Sequence, residues 1–449
     1  MTYQEALQYL ESFINYENIP AYPYKESLKL ECLKGFLSAI GNPQGSLKCL
    51  HVAGSKGKGS TCAFLTYILR QAGYKAGLYT SPHLSDFRER IRILNPKPEI
   101  LNSKQIPNPK SQIKKLKDFE GMISKKALTD LVVKLRPAID KYNKASKYGP
   151  LSFFEVYTAL ALVYFREEKV DFAVLETGLG GRLDATNVVS PLACIITPIS
   201  YEHTQKLGNT LTKIANEKAG IIKNQKSKIK NQKLTVISAP QEKEVIEVIR
   251  KKCLETGARL IEVKRAKRNL KIRLAGRHQL VNATVAVRAI EALGILGIKL
   301  GVESIRGGLY NTVWPGRCEV ISNRPILVLD GAQNIASAAA LKKTIRERFR
   351  YRKLNLILGI SSDKDIQGIC HELNPLADRI ILTKADSPRA ASPTRLAGYF
   401  NGEKEVLVTN NVREAGSLAH RLAKDNDLIL VTGSLFVVGE FRNEKYKFI

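Results

Sequence analysis

The chain is short of acid, histidine, methionine and tryptophan: 42 Asp plus Glu stand against 71 Lys plus Arg in 449 residues, with 6 His, 2 Met and 1 Trp. The acid deficit leaves a formal charge of +29. Such a field excludes a polycationic partner and favours anions, whether nucleic acid, a membrane surface or polyanionic small molecules. Paired cysteines are missing too. The 7 Cys are odd in number and scattered, with no C-x-x-C pair, so neither a zinc site nor a disulfide framework is expected, and a reducing compartment fits. No uninterrupted apolar run reaches the 18 or so residues of a membrane span. The first residues open an amphipathic pattern at Leu7, Leu10, Phe13 and Ile14 rather than a basic and then apolar leader. A soluble, cytoplasmic protein without a membrane partner is the expectation. Disorder is excluded by a composition of 44% hydrophobic and 25% charged residues, and at roughly 100–200 residues per domain the length implies two domains or one large one.

What is present is an alternation of short apolar runs with helix-length amphipathic segments, the pattern of parallel α/β construction. Residues 49–53, 172–175, 194–199 and 234–238 read as buried strands, and 154–165 as a helix packed on both sides. A second series, 326–329, 354–360, 379–383, 405–408 and 428–432, suffices for a separate sheet. The break falls at 311–315, after a helix ending around Tyr310, where Trp314-Pro315-Gly316 is turn chemistry. The expected fold is α/β: a P-loop ATPase domain with a mostly parallel sheet (1–310), then a smaller Rossmann-like α/β domain (311–449). Lysine-rich stretches at 104–117 and 223–233 read as solvated loops, because a nucleic-acid patch interleaves aromatics and these have none.

The strongest motif is His51-Val52-Ala53-Gly54-Ser55-Lys56-Gly57-Lys58-Gly59-Ser60-Thr61. An apolar strand enters a glycine-rich turn, and a helix starts near Ser60 with Ala63, Phe64, Leu65 and Ile68 on its inner side. Gly54, Gly57 and Gly59 let backbone N–H groups curl around a phosphate, the helix N-terminus at Ser60 adds positive potential, and Lys58 reaches the β/γ oxygens. ATP or GTP binding follows. Gly59 separates Lys58 from the first hydroxyl, so a magnesium ligand is expected from elsewhere.

From this point the sequence resembles the folylpolyglutamate and dihydrofolate synthases of the Mur ligase superfamily, nearly end to end. The resemblance rests on the phosphate loop, on Ser81-Pro82-His83-Leu84 followed by Arg88-Glu89-Arg90-Ile91, and on Ser152-Phe153-Phe154-Glu155. It continues through Glu176-Thr177-Gly178-Leu179-Gly180-Gly181-Arg182-Leu183-Asp184-Ala185, His203-Thr204, Glu217-Lys218-Ala219-Gly220, Gly276-Arg277-His278-Gln279 with Asn282, Trp314-Pro315-Gly316-Arg317, Asp330-Gly331-Ala332, Ser387-Pro388-Arg389 and Gly433-Ser434-Leu435. It implies an ATP-dependent amide ligase that phosphorylates the carboxylate of dihydropteroate or of a reduced folate's glutamyl tail and couples it to L-glutamate, releasing ADP and phosphate. It implies magnesium on Ser81, Glu176 and His203, with Lys218 as a carbamate helping to hold a second ion. Lys58, Lys218 and His203 then stand as catalytic, and Asn282, Arg317 and Asp330 join the phosphate loop in holding ATP. Ser152, Phe153, Phe154, Glu155, Leu183, Asp184 and Ala185 match the region that receives the pterin-bearing substrate. Taken singly, His203, Glu176 and Lys218 would be ordinary polar residues; the strings around them supply the roles. Three departures stand out: Lys56 for the family's asparagine, Glu202 for aspartate, and Gln333 for histidine. Gln333 keeps hydrogen-bonding capacity but removes any proton role of an imidazole.

Two rivals compete. Another Mur-type ligase, acting on UDP-linked peptidoglycan precursors, is disfavoured by the 81–84 and 152–155 strings. A basic P-loop ATPase that binds nucleic acid calls for a hydroxyl directly after Lys58 and aromatic-interleaved basic patches, and has neither. No nucleic-acid partner and a monomer are expected.

Overall fold

Aliphatic segments buried at every position form the central strands of two sheets. The computed structural model describes residues 1–19, 22–97, 119–224, 233–400 and 404–444. The first sheet comprises β1 (Cys49–Ala53), β2 (Ala76–Tyr79), β3 (Ile91–Leu94), β4 (Phe172–Glu176), β5 (Ala193–Ile196), β6 (Thr235–Ser238) and β7 (Arg259–Glu262). Their order is β3-β2-β4-β1-β5-β6-β7, parallel except for β3. The second comprises β8 (Glu319–Asn323), β9 (Ile326–Leu329), β10 (Leu354–Leu358), β11 (Arg379–Leu382), β12 (Glu405–Val408) and β13 (Leu428–Thr432). Its order is β12-β11-β10-β13-β9-β8, parallel except for β8. The expected strands are all present to within a few residues. β2, β3, β7 and β8 are additional to the expected strands: β2 is an internal strand of only four residues, Ala-Gly-Leu-Tyr, with a glycine in its apolar run, while the other three are edge strands, two of them antiparallel, and β7 and β8 are partly exposed and lack a continuous apolar run.

Side chains alternate across each sheet with the period of two that extended backbone imposes. In β4, Ala173 and Leu175 face the helices Leu30–Ala39, Lys125–Ala145 and Phe153–Glu167, while Phe172 and Val174 face the helices Lys58–Gln71 and Arg277–Leu293. Each aliphatic side chain removed from water in these layers contributes roughly 1.5–3 kcal/mol. One helical stretch among the described residues, Arg277–Leu296, is long and apolar enough to cross a membrane; its apolar positions pack on the Lys58–Gln71 helix within the protein. In the second sheet, Leu354, Leu356 and Leu358 face one layer, and Ile357, Ile429 and Val431 the other. That second layer also contains Leu84 and Phe119, which reach it from loops of the first half of the chain. Trp314, 9% exposed, sits at the seam, where its indole lies against Gly59 and edge-on to Phe119 with ring centroids 6.1 Å apart.

Of the lysine-rich stretches, 104–117 lies outside the described residues, as do 225–232. Lys223 is no solvated loop charge: it is half-buried, and its Nζ donates to the carbonyls of Asn187 and Val189.

Candidate active site

β1 ends at Ala53, and the chain turns into the Lys58–Gln71 helix, which begins two residues before Ser60. Gly54 and Gly57 carry it through φ values of +146° and +81°, a region that favours glycine. A Cβ on either would also strike a neighbour, Thr197 for Gly54 and the Asn282 amide for Gly57, so the turn lies flush on its surroundings. Ser55 and Lys56 anchor it by donating their N–H groups to the Pro198 carbonyl at 3.0 and 3.1 Å. No side chain caps the helix N-terminus, so its first N–H donors remain open to an anion. Lys58 Nζ rests on the Gly54 carbonyl at 3.1 Å, a single neutral contact that a phosphate readily replaces.

The carboxyl ends of β2, β4, β1 and β5, four neighbours in the sheet, deliver the other polar groups, where an open α/β sheet places its ligands. Glu176 closes β4 opposite Val52 of β1. It is 6% exposed and accepts the Ser81 N–H at 3.3 Å. Burial pushes its pKa up to about 7 against the opposing pull of Lys58, the Ser81 N–H and Arg317. Lys218, 1% exposed, donates to the Gly54 carbonyl at 2.8 Å and to Glu202 Oε1 at 2.5 Å. Burial lowers its pKa and Lys58 adds to this, with Glu202 opposing. His203 opens a short helix (Thr204–Leu207) with φ +46°. It is exposed at the cleft; desolvation first, then Lys364, Lys218 and Lys58, push its pKa down to about 4 against Glu202. The imidazole is therefore neutral at pH 7, with a lone pair free for a cation.

The four metal candidates fall into two pairs: Ser81 beside Glu176, and His203 beside the Glu202–Lys218 ion pair. Among the described residues no three His, Cys, Asp or Glu side chains converge on one point. Magnesium is commonly held by one or two protein carboxylates, with phosphates and water completing its shell. Hard oxygens from Ser81 and Glu176 suit it, and the raised pKa of Glu176 marks a carboxylate short of positive charge.

The second sheet reaches the same point. Arg317 acts on both Glu176 and Asp330, while Asp330 braces the turn that carries Arg317 by accepting the N–H groups of Cys318 (2.8 Å) and Ala332 (2.9 Å). Asn282, 3% exposed, presses on Gly57 and donates to Gln279 Oε1 at 3.0 Å.

Comparison with known proteins agrees with this layout. Residues 153–290 match the Mur ligase middle domain and residues 316–435 the Mur ligase glutamate ligase domain. The dihydrofolate synthase/folylpolyglutamate synthase of Bacillus subtilis is 31% identical over 438 residues, covering 91% of this chain and 93% of that protein. The chain belongs to this family. It is an ATP-dependent ligase of the Mur type. Among solved structures, the Mycobacterium tuberculosis folylpolyglutamate synthase complexed with ADP superposes with a TM-score of 0.83 at 28% identity, covering 98% of this chain and 97% of that one. Escherichia coli FolC in complex with DHPP and ADP superposes with a TM-score of 0.77 at 26% identity, covering 100% of this chain and 98% of that one.

The remaining candidates divide. Ser152 and Glu155 form a capping box on the Phe153–Glu167 helix: the Ser152 hydroxyl and N–H both donate to Glu155 Oε2, at 2.7 and 2.8 Å. Phe153 is 1% exposed and lies in the core. Phe154 is half-buried, stacked on Tyr79 with ring centroids 6.0 Å apart, and its ring lies against Gly178. Asp184 accepts the N–H groups of Leu179 (2.8 Å) and Thr186 (3.0 Å) and the Thr186 hydroxyl (2.5 Å), and so shapes the glycine loop. Thr186 in turn accepts from His51 Nε2 at 2.8 Å, which ties that loop to β1. Ala185 is 6% exposed and Leu183 half-buried. Phe154, Glu155 and Leu183 are the partly exposed members of this group, and since Glu155 is taken up by Ser152, Phe154 and Leu183 are the ones with apolar surface to offer a ligand. Sequence reasoning missed the ion pair Glu17–Arg90; Arg90 stands inside a quoted string, but nothing in the spacing points to a carboxylate 73 positions earlier.

Proposed function

We propose that this ligase joins L-glutamate to dihydropteroate or to the glutamyl tail of a reduced folate, working as a cytoplasmic monomer. Residues 1–310 hold ATP, and residues 311–449 close over it as the glutamate ligase domain. The observation that supports this most directly is Glu176, a buried and under-partnered carboxylate on which Lys58 of the first sheet and Arg317 of the second both act. The substrate carboxylate attacks the γ-phosphorus of ATP; a C(O)O–P bond forms, the P–O bond to ADP breaks, and the amine of L-glutamate then displaces phosphate from the acyl carbon. Lys58 leaves the Gly54 carbonyl for the phosphates and stabilises the charge that develops on them. Asn282 holds the nucleotide from the phosphate-loop side, and Arg317 and Asp330 enclose it from the second, which keeps water from the acyl phosphate. Ser81 and Glu176, with His203 from the loop that follows β5, would hold magnesium, which would neutralise phosphate oxygens. Lys218, buried and paired with Glu202 at 2.5 Å, would be the amine that carbon dioxide converts to a carbamate once it gives up its proton, an anion that would help to hold a second cation. Phe154 and Leu183 offer the apolar surface for the pterin. Gln333 takes no proton in this scheme.

The test is a parallel assay of ADP release from purified protein with L-glutamate and either dihydropteroate or tetrahydrofolate. Stimulation by one or both, and none by UDP-linked muramoyl precursors or polynucleotides, is expected. Stimulation by polynucleotides with no response to either pterin overturns the proposal.

A further inference from the structure

The 81–90 segment is held at three separate points. Its start lies against the nucleotide strand, through Ser81 and Glu176 at 3.3 Å. Its middle belongs to the second sheet: Leu84 packs with Leu329, Ile357, Val431 and Leu435, and the Ser85 hydroxyl donates to the Gly439 carbonyl at 3.3 Å. Gly439 must be glycine for this approach, since a Cβ there would strike the Leu84 carbonyl. Glu89 fixes the turn between these points by accepting the N–H groups of Leu84, Ser85 and Asp86 at 2.6, 2.9 and 2.9 Å. The third point is Arg90.

Arg90 is 1% exposed, with its guanidinium over the rings of Phe153 and Tyr157 at 5.4 and 5.8 Å. Its Nε donates to His83 Nδ1 at 3.1 Å, inside the 81–84 turn. Its two terminal nitrogens fork onto Glu17, Nη1 to Oε1 at 2.8 Å and Nη2 to Oε2 at 2.5 Å. A forked pair fixes both distance and plane, so neither side chain moves without the other. Glu17 is held again from the far side of the cleft: Arg389 Nη1 donates to its main-chain carbonyl at 2.9 Å, while Arg389 Nη2 reaches both Asp363 oxygens at 2.8 Å. Arg389 and Asp363 lie on loops of the second sheet, so one continuous line of hydrogen bonds runs from that sheet through Glu17, Arg90 and His83 into the turn that bears Ser81. This gives roles to the Arg88–Ile91 and Ser387–Arg389 strings, which the reaction scheme leaves unused.

We propose that Glu17 is a positioning residue of the ligase: clamped by Arg90 on its carboxylate and by Arg389 on its carbonyl, it transmits the seating of the second sheet to the 81–84 turn and sets Ser81 against Glu176. The inference rests on the ligase reading above, in which Ser81 and Glu176 face the magnesium nucleotide. Nucleotide affinity without magnesium belongs to the phosphate loop and is independent of the clamp; the gain in affinity on adding magnesium depends on it.

The test is titration calorimetry of the full chain with ADP, in EDTA and in magnesium chloride, on wild type, Glu17→Gln, Arg389→Ala and the double variant, with thermal denaturation as a check on folding. Expected is an ADP affinity in EDTA within about twofold of wild type for all, and a magnesium-dependent gain reduced at least about fivefold in each single variant, the low end of coupling between linked sites. The double variant is expected to lose no more than the worse single one, because both cut the same line. A folded Glu17→Gln protein with the full gain, or losses that multiply in the double variant, overturns the proposal. Should Glu17→Gln not fold, Arg389→Ala decides alone: a reduced gain supports the clamp and a full gain overturns it. Wild type that shows the gain but releases no ADP with either pterin and L-glutamate overturns the ligase reading instead, and the Glu17 comparison still stands.

Discussion

Glu176, the last residue of β4, and Asp184, which caps the helix Ala185–Val188, stand at the two ends of one loop; both are buried, and burial pushes the pKa of both upward. Their partners differ. Asp184 accepts two N–H groups and a hydroxyl and caps the short helix Ala185–Val188, whereas Glu176 has one N–H at 3.3 Å and leans on the distant charges of Lys58 and Arg317. A buried carboxylate with its acceptors filled is scaffold, because its desolvation is offset inside the fold. One that is short of donors is completed from outside, here by a cation and a phosphate. The pterin-side residues fall on the same line: Ser152 and Glu155 are occupied with each other, and Phe154 is not.

The sharpest way to break this contrast is at Lys58. Lys58→Ala should lower folate-dependent ADP release by at least about three orders of magnitude, as expected when electrostatic stabilisation of phosphoryl transfer is removed, with an unchanged melting temperature because its resting partner is one carbonyl. Near-normal turnover would end the assignment. Glu176→Gln should cost about a hundredfold in kcat and nothing in stability, since an under-partnered buried charge is replaced by a neutral isostere. Asp184→Asn should do the reverse: about 3 kcal/mol of stability lost, as acceptors for three donors are disturbed, with ADP affinity retained at low temperature. If the denaturation curves of these two variants coincide, filled and unfilled acceptors mean nothing here.

Acid tests the scaffold side further. Burial first, with the charge of Lys223 adding, pushes the pKa of His51 down to about 3 from 6.5. The folded imidazole stays neutral while the unfolded chain takes up a proton near 6.5, so this contribution to stability is intact above that pH and is lost progressively toward 3, by up to about 5 kcal/mol. His51→Asn should therefore show a flatter acid limb in a plot of melting temperature against pH. Identical limbs would mean that His51 does not stay neutral. The smallest effect is expected at Phe154→Leu: KM for the pterin substrate up about tenfold, with kcat and KM for ATP unchanged.

The central strands and the phosphate loop were legible because parallel strands buried on both faces are continuous apolar runs and because the turn needs glycines at fixed spacing. β3, β7 and β8 were not, being edge strands paired on one side, and neither was the internal β2, whose four residues Ala76–Tyr79 include a glycine and make too short an apolar run. Glu176 and Ser81 were visible only through the strings around them, since no local signal distinguishes a strand-end carboxylate that binds a cation from one that caps a helix. Glu17 was invisible for a different reason: its meaning lies wholly in Arg90 and Arg389, which the chain brings to it from 73 and 372 positions away.

The seam residue Trp314 gives the molecule an optical property. As the chain's one tryptophan, pressed on Gly59 at the start of the phosphate-loop helix and covered by the guanidinium of Arg92 at 5.6 Å, it makes emission excited at 295 nm come from a single known place. Its indole touches the first turn of the helix that follows the phosphate loop, so stopped-flow fluorescence of the unlabelled wild-type enzyme is expected to report nucleotide entering that loop, with no dye and no substitution to perturb the cleft.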